Sequence, residues 1–292
     1  MEQVRTETNS KTSKTLMSWN APSKDDSGEK EDGKKDNKTA EANNEAKEAA
    51  SKEEPSEIAA DRPDFTESST TVGKGRIQLE SGYTLSRNRD TGERNGHSFP
   101  EALLRIGLFA DWFELRIGQN YSSTNLTVTS TDGLEDLYLG VKLALTEQKK
   151  LFPETALVIQ ATVPTGPDNI TAGKTLPGVN FLFGWDVIPD QLTMAGSVQG
   201  NAAVTDDGSS YLELAQSFTM GYSMTTKLGC YLEVFGKEPF SANVPDVGPE
   251  YYLDGGFTYK FTPNFQYDVR AGVGLNRHSD DYFIGTGFAV RY

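Results

Sequence analysis

The sequence predicts an all-β protein: a closed antiparallel transmembrane β-barrel of about 12 strands, preceded by a disordered N-terminal tail. Three observations carry that expectation. Apolar and polar residues alternate with period two in segment after segment from residue 76 to the C-terminus, as in strands with one apolar face. Lysine is nearly missing from the polar phase of those segments. Of the 15 Phe, 12 Tyr and 3 Trp, all but Trp19 follow Asp64, so the material for an apolar surface lies almost wholly in the later part.

In chain order, residues 1–59 read as an acidic, low-complexity tail. From Ser23 to Glu57 the chain is mostly Lys, Glu, Asp, Asn, Ser and Ala, too little apolar surface to offset the entropy lost on ordering. Residues 60–75 form a lead-in segment. Its part from Asp61 to Val72 abruptly lacks lysine and stands just before the first strand, which suggests a plug that enters the barrel lumen.

Strands are expected near 76–86, 101–109, 113–121, 134–145, 154–164, 178–187, 192–200, 210–221, 228–235, 250–261, 265–276 and 282–292. The clearest alternation sets Leu137, Leu139, Val141, Leu143 and Leu145 against Tyr138, Gly140, Lys142 and Ala144. Another sets Phe265, Tyr267, Val269, Ala271, Val273 and Leu275 against Gln266, Asp268, Arg270, Gly272, Gly274 and Asn276. Long connections alternate with short ones such as Ala110-Asp111-Trp112 and Thr262-Pro263-Asn264, which carry turn residues. An even strand number places both barrel ends on the short-turn side, the periplasmic side in such barrels.

Alternation alone allows a soluble two-sheet fold, but composition favours lipid outside. A soluble sheet usually shows lysine to water, whereas the expected strands hold only Lys142 and Lys260. Their polar phase is Gly, Tyr, Asn, Gln and Thr with mixed charges, which suits a crowded, hydrated lumen. Aromatics gather near strand ends, as in Phe109, Trp112, Phe113, Trp185, Tyr222 and Phe261, where they would sit at the membrane interfaces. Segments of this length match the roughly 9–11 residues a tilted strand needs to cross a bilayer. The last strand ends Phe288-Ala289-Val290-Arg291-Tyr292, a pattern read as the signal for outer-membrane assembly machinery.

The net charge of −14 argues against nucleic acid as a partner, since binding phosphates needs clustered cations. One cysteine, Cys230, cannot form an intrachain disulfide, and no Cys/His spacing fits zinc. No cofactor and no metal site is expected.

The segment Ala60-Asp61-Arg62-Pro63-Asp64-Phe65-Thr66-Glu67-Ser68-Ser69-Thr70-Thr71-Val72-Gly73 is followed by Leu79-Glu80-Ser81-Gly82-Tyr83. Leu104-Arg105-Ile106-Gly107, Glu114-Leu115-Arg116-Ile117-Gly118, Ala161-Thr162-Val163-Pro164-Thr165-Gly166 and Asp254-Gly255-Gly256-Phe257-Thr258-Tyr259 come later. Together they resemble a family of outer-membrane transporters named for the meta-cleavage pathway of phenol degradation, over about residues 58–292. The resemblance implies a bacterial outer-membrane barrel, monomeric or loosely oligomeric, that passes small solutes, aromatic or hydrophobic ones among them. The start Met1-Glu2-Gln3-Val4-Arg5 lacks the apolar run of a secretory signal, so the reading places the true start upstream of Met1.

The candidate lumen-lining charges are Arg76, Glu80, Arg105, Glu114, Arg116, Asp136, Lys142, Asp186, Glu213, Glu233, Asp254, Lys260, Asp268, Arg270 and Arg291. Seven are basic and eight acidic, so they could pair and fill the lumen as readily as line a channel. A passive channel is the leading expectation, and a structural or surface-display barrel with a filled lumen the alternative, its loops 87–100 and 236–249 meeting outside partners. A hydrolase at the barrel mouth, with His97 or His278 activating Ser98 or Ser279, is the least favoured reading. The pairs Asp206-Asp207 and Asp280-Asp281 are read as solvated loop carboxylates rather than calcium ligands.

Overall fold

In the computed structural model, residues 57–89, 94–125, 130–205, 208–240 and 247–292 are described. The expected tail falls outside them apart from its last three residues, and so do Asp206 and Asp207. The strands are β1 (Ile77–Asn88), β2 (Arg94–Gly107), β3 (Phe113–Asn125), β4 (Ser130–Leu134), β5 (Leu137–Thr146), β6 (Glu154–Val163) and β7 (Leu176–Ile188). They continue with β8 (Leu192–Val204), β9 (Ser210–Ser223), β10 (Leu228–Phe240), β11 (Glu250–Thr262), β12 (Phe265–Gly274) and β13 (Tyr282–Arg291).

Every strand pairs antiparallel with its neighbours, and β13 returns to β1, so the sheet closes on itself. Both β4 and β5 pair with β3, at Tyr121↔Leu134 and Gly118↔Tyr138, so they are two pieces of one barrel strand interrupted at Glu135-Asp136. The barrel therefore has twelve strands. Closure removes the unpaired edges that hydrocarbon would punish at several kcal/mol per orphaned group.

The faces are inverted relative to a soluble domain. Ile159, Val198, Leu232 and Ile284 are 51%, 55%, 59% and 48% exposed, while Arg105, Glu114 and Lys142 are 0% exposed. Cross-strand register turns single alternating strands into a continuous outer belt: Ala161, Leu139, Ile117, Leu104, Leu79, Val290 and Phe265 sit opposite one another in succession. The aromatic cluster Phe109, Trp112 and Phe113 caps this belt at the short-turn end.

Most strands run longer than alternation indicates, and the largest differences fall at the long-loop end. Much of the expected 87–100 and 236–249 loops is strand, because β1 reaches Asn88, β2 begins at Arg94 and β10 reaches Phe240. These extensions carry runs such as Ser122, Ser123 and Thr124, polar on both faces. A strand that projects beyond hydrocarbon has no apolar face to reveal it.

Candidate functional site in the barrel lumen

The inner wall is built by parity. In β1 the residues Gln78 and Glu80 face inward, in β3 Glu114 and Arg116, in β5 Gly140 and Lys142, and in β12 Gln266 and Asp268. The lead-in residues are enclosed by this wall: Ile58, Asp61, Thr66, Ser69 and Val72 are all buried. Their path can be followed through hydrogen bonds. Ile58 N–H donates to Pro263 O at the short-turn end (2.8 Å). The chain climbs to Phe65, whose N–H donates to Glu233 Oε2 (2.6 Å). It then descends through Ser69, bonded to Glu154 (2.6 Å), and Val72, whose N–H donates to Glu114 (2.8 Å), before joining β1. The apex at 64–66 reaches mid-barrel, and the segment occupies the half of the lumen nearest the short turns.

Asp61 and Arg62, adjacent in sequence, carry opposite charges to different partners on the wall. Asp61 accepts from Arg116 Nη1 (2.6 Å) and from Lys142 Nζ (2.9 and 3.2 Å), and lies 3.3 Å from Arg105 Nη1. Arg105 also forks onto Glu114 (2.8 and 3.0 Å) and reaches Glu80 (3.0 Å), the bidentate geometry in which charge-assisted bonds are strongest. Arg116 donates to Glu67 (2.8 Å). The β2, β3 and β5 wall thus carries three cations, Arg105, Arg116 and Lys142, and the segment brings two carboxylates, Asp61 and Glu67, to meet them.

Arg62 pairs with Glu101 on β2 (2.7 Å) and Asp268 on β12 (3.4 Å), while Phe65 and Thr66 N–H both donate to Glu233 on β10. Glycine makes the room: a Cβ on Gly82 or Gly287 would overlap the Arg62 guanidinium, and one on Gly107 would overlap the Gly73 carbonyl. Burial alone would raise the Asp61 carboxyl, but Arg105, Lys142 and Arg116 together hold it well below the usual carboxylate range. At the apex Asp64 is shifted the other way, pushed up by burial and then by the neighbouring Glu233.

Of the charges singled out from sequence, the structure gathers Glu80, Arg105, Glu114, Arg116 and Lys142 into one network and sets Glu233, Asp254, Asp268 and Arg270 along the facing wall. Arg270 donates to Pro63 O (2.9 Å) and Thr84 Oγ1 (2.9 Å). At the short-turn rim Lys260 binds Glu57, and Arg291 bonds Asn264 and Glu57 O. Arg76 stands half-buried just before β1, and Glu213 half-buried in β9.

Two of the expected charges stand apart from these networks. Asp136 sits in the interruption between β4 and β5 and accepts from the N–H groups of Thr165, Gly166 and Ala172, tying down that loop. Asp186, in phase with the buried Asn180 and Leu182, is exposed beside a register shift at the short-turn end. Glu101 and Glu154 were not anticipated, although each shares the parity of an inward residue on its strand, Arg105 and Val158. Glu101 stands at a bulge and has φ 46°, a left-handed conformation that re-aims its side chain.

The serine and histidine candidates do not come together. His97 Nδ1 meets Tyr83 Oη (2.8 Å), and Ser279 Oγ is buried, accepting from Tyr251 N–H (2.8 Å) with its one proton shared between Asn276 Oδ1 (2.6 Å) and Tyr251 O (2.9 Å). His278 packs over Gly248. Among the described residues no group of three or more His, Cys, Asp or Glu side chains is arranged to hold a metal ion.

A family model described as "Putative MetA-pathway of phenol degradation" matches residues 60–292. Among solved structures, the COG4313 outer membrane channel from Pseudomonas putida F1 is similar with a TM-score of 0.60 and 10% identity, the match covering 79% of this chain and 99% of that one. The NanC porin is similar with a TM-score of 0.51 and 8% identity, covering 73% of this chain and 98% of the porin. At these identities the likeness is one of fold. Comparison with curated proteins gives no match.

Proposed function

The chain belongs to the phenol MetA-pathway family over residues 60–292, and from that premise we propose that it is an outer-membrane channel for small solutes whose lumen is closed by its own residues 57–75. The observation that carries this reading is the chemistry of the closure. The plug is held mainly by ion pairs and hydrogen bonds to Arg105, Arg116, Lys142, Glu233 and Asp268, with Phe65 stacked on Phe235 at its apex. Water can replace such bonds when the plug leaves, so a polar plug can be displaced where a greasy one would be trapped. What remains is a pore with a basic β2–β5 wall opposite an acidic β10–β12 wall.

The fold suits this place. Its outer belt meets lipid, its inner wall meets water and solute, and its structural neighbours are channels and porins. We read the barrel as a passage and not a catalyst, supported by the engaged Ser279 hydroxyl. The final strand, ending in the exposed Tyr292, is read as the contact for assembly machinery.

One observation favours the alternative, a structural barrel: the plug reaches both charged walls at once, through Arg62 to Asp268 and through Asp61 to Arg116. Planar-bilayer recording separates the two. The channel reading expects intermittent single-channel openings from the purified full chain, more frequent at raised voltage. Silence at every voltage, in protein shown to be inserted, favours the structural barrel.

A further inference from the structure

Beyond the apex of the plug, toward the long-loop end, lie two adjoining clefts. One, of about 220 Å³, is lined by Thr84, Ser86, Ser98, Ser122 and Thr124. The other, of about 200 Å³, shares Thr84 and Ser86 and is otherwise lined by aromatic rings and charges. Its rings form one continuous wall. Phe65, at the plug apex, stacks on Phe235 (4.5 Å between centroids, 2° between planes), and Phe235 stacks on Tyr252 (4.8 Å, 20°). Phe283 meets Tyr252 at 5.9 Å, and the Arg270 guanidinium lies 5.3 Å from the Phe283 ring centre.

Such a wall has no need to exist in a simple water-filled pore, where apolar rings facing water are unfavourable. The opposite side is hydroxyl-bearing, and one cation has bonding capacity to spare. Lys237 lines the aromatic cleft, half-exposed, and its ion pair with Glu250 is loose, at 3.8 Å. An ammonium has three donors, and among the described residues Glu250 engages one at most, so the group can still take a ligand. Asp280 also borders the cleft, and its N–H donates to Tyr252 Oη (3.0 Å).

We propose that this cleft is a binding subsite for a single-ring aromatic carboxylate, its ring lying against the Phe65, Phe235, Tyr252 and Phe283 wall and its carboxylate on Lys237. Size agrees, because an apolar cavity of roughly 150 Å³ already holds benzene and the present cleft is about 200 Å³ with polar groups beside it. The inference deepens the channel reading and rests on it for the ligand's onward path. It adds that Phe65 is shared: the residue that floors the subsite is the tip of the plug, so a bound ring and a seated plug touch each other.

Isothermal titration calorimetry on the full chain in detergent tests it, with benzoate as probe and empty micelles as blank. Cyclohexanecarboxylate has the charge without the flat ring, and benzyl alcohol the ring without the charge. The expected result is saturable one-to-one binding of benzoate, with each analogue weaker by about tenfold, the scale of a lost aromatic or charge-assisted contact. Lys237→Gln and Phe283→Leu, which stays apolar but loses the flat ring, are each expected to weaken benzoate about fivefold or more. Benzoate heats no different from empty micelles would overturn the proposal. So would either analogue matching benzoate, or both variants binding as the parent does. None of these results bears on whether the barrel conducts, which bilayer recording reads separately.

Discussion

Replacing Asp61 with asparagine is expected to unseat the plug and turn a mostly closed barrel into a mostly open one. Asp61 is buried and is the group that Arg116, Lys142 and Arg105 share. Arg105 and Arg116 keep Glu114, but Lys142 would keep only the Ser68 carbonyl (2.7 Å) and a neutral amide. Breaking one member of a buried ion network costs about 3–5 kcal/mol, since the partner charges are left uncompensated. Even about 3 kcal/mol moves the closed-to-open ratio roughly a hundredfold. The linkage has a definite sign. A carboxyl held below its ordinary value stabilises the seated state at neutral pH, and that contribution disappears only as pH falls through the depressed value. Mild acidification therefore should not mimic Asp61→Asn through this group. Open probability in planar bilayers, parent against variant at neutral pH, is the check.

The second large effect is expected on the outside of the wall. Leu139 faces outward, between Ile117 and Ala161 in the apolar belt. Leu139→Arg would put a guanidinium in hydrocarbon, a cost of roughly 2–4 kcal/mol near the bilayer midplane. Its sequence neighbour Gly140 is buried on the inner face, where an added Cβ would press on the Tyr138 hydroxyl (2.8 Å). Gly140→Ala should then crowd the lumen without a lipid penalty. Reversible unfolding in lipid vesicles should show the large loss only for Leu139→Arg, and equal losses would contradict the assignment of faces.

What sequence could reveal here follows from what each residue faces. Leu137 to Leu145 alternate because one side meets lipid and the other meets the lumen, two solvents that select opposite residues. Where both sides meet water, as at Ser122 to Thr124, the pattern vanishes, and the strand ends were placed too early. The lumen charges were legible as charges on the inward phase, yet their pairing was not. Asp61 is matched to Lys142, 81 positions away, and Arg62 to Asp268, 206 positions away, and nothing local encodes those meetings. Parity alone did not show that the strand breaks at Asp136 and that loop N–H groups claim its carboxylate. The aromatic wall was hidden for a similar reason. Phe65, Phe235, Tyr252 and Phe283 come from four separate segments and become one surface only when the barrel closes.

The central claim is that the seated plug is what closes a conducting pore. A reversible covalent latch tests it most directly. Thr66 Oγ1 and Ser217 Oγ lie 2.6 Å apart, one on the plug and the other on β9, so cysteines at both positions can form a disulfide. The native thiol Cys230 is first replaced by serine. The account predicts no current from the oxidised Thr66→Cys, Ser217→Cys barrel and openings restored in the same bilayer on adding reductant. Equal currents before and after reduction, with the disulfide verified, would contradict it.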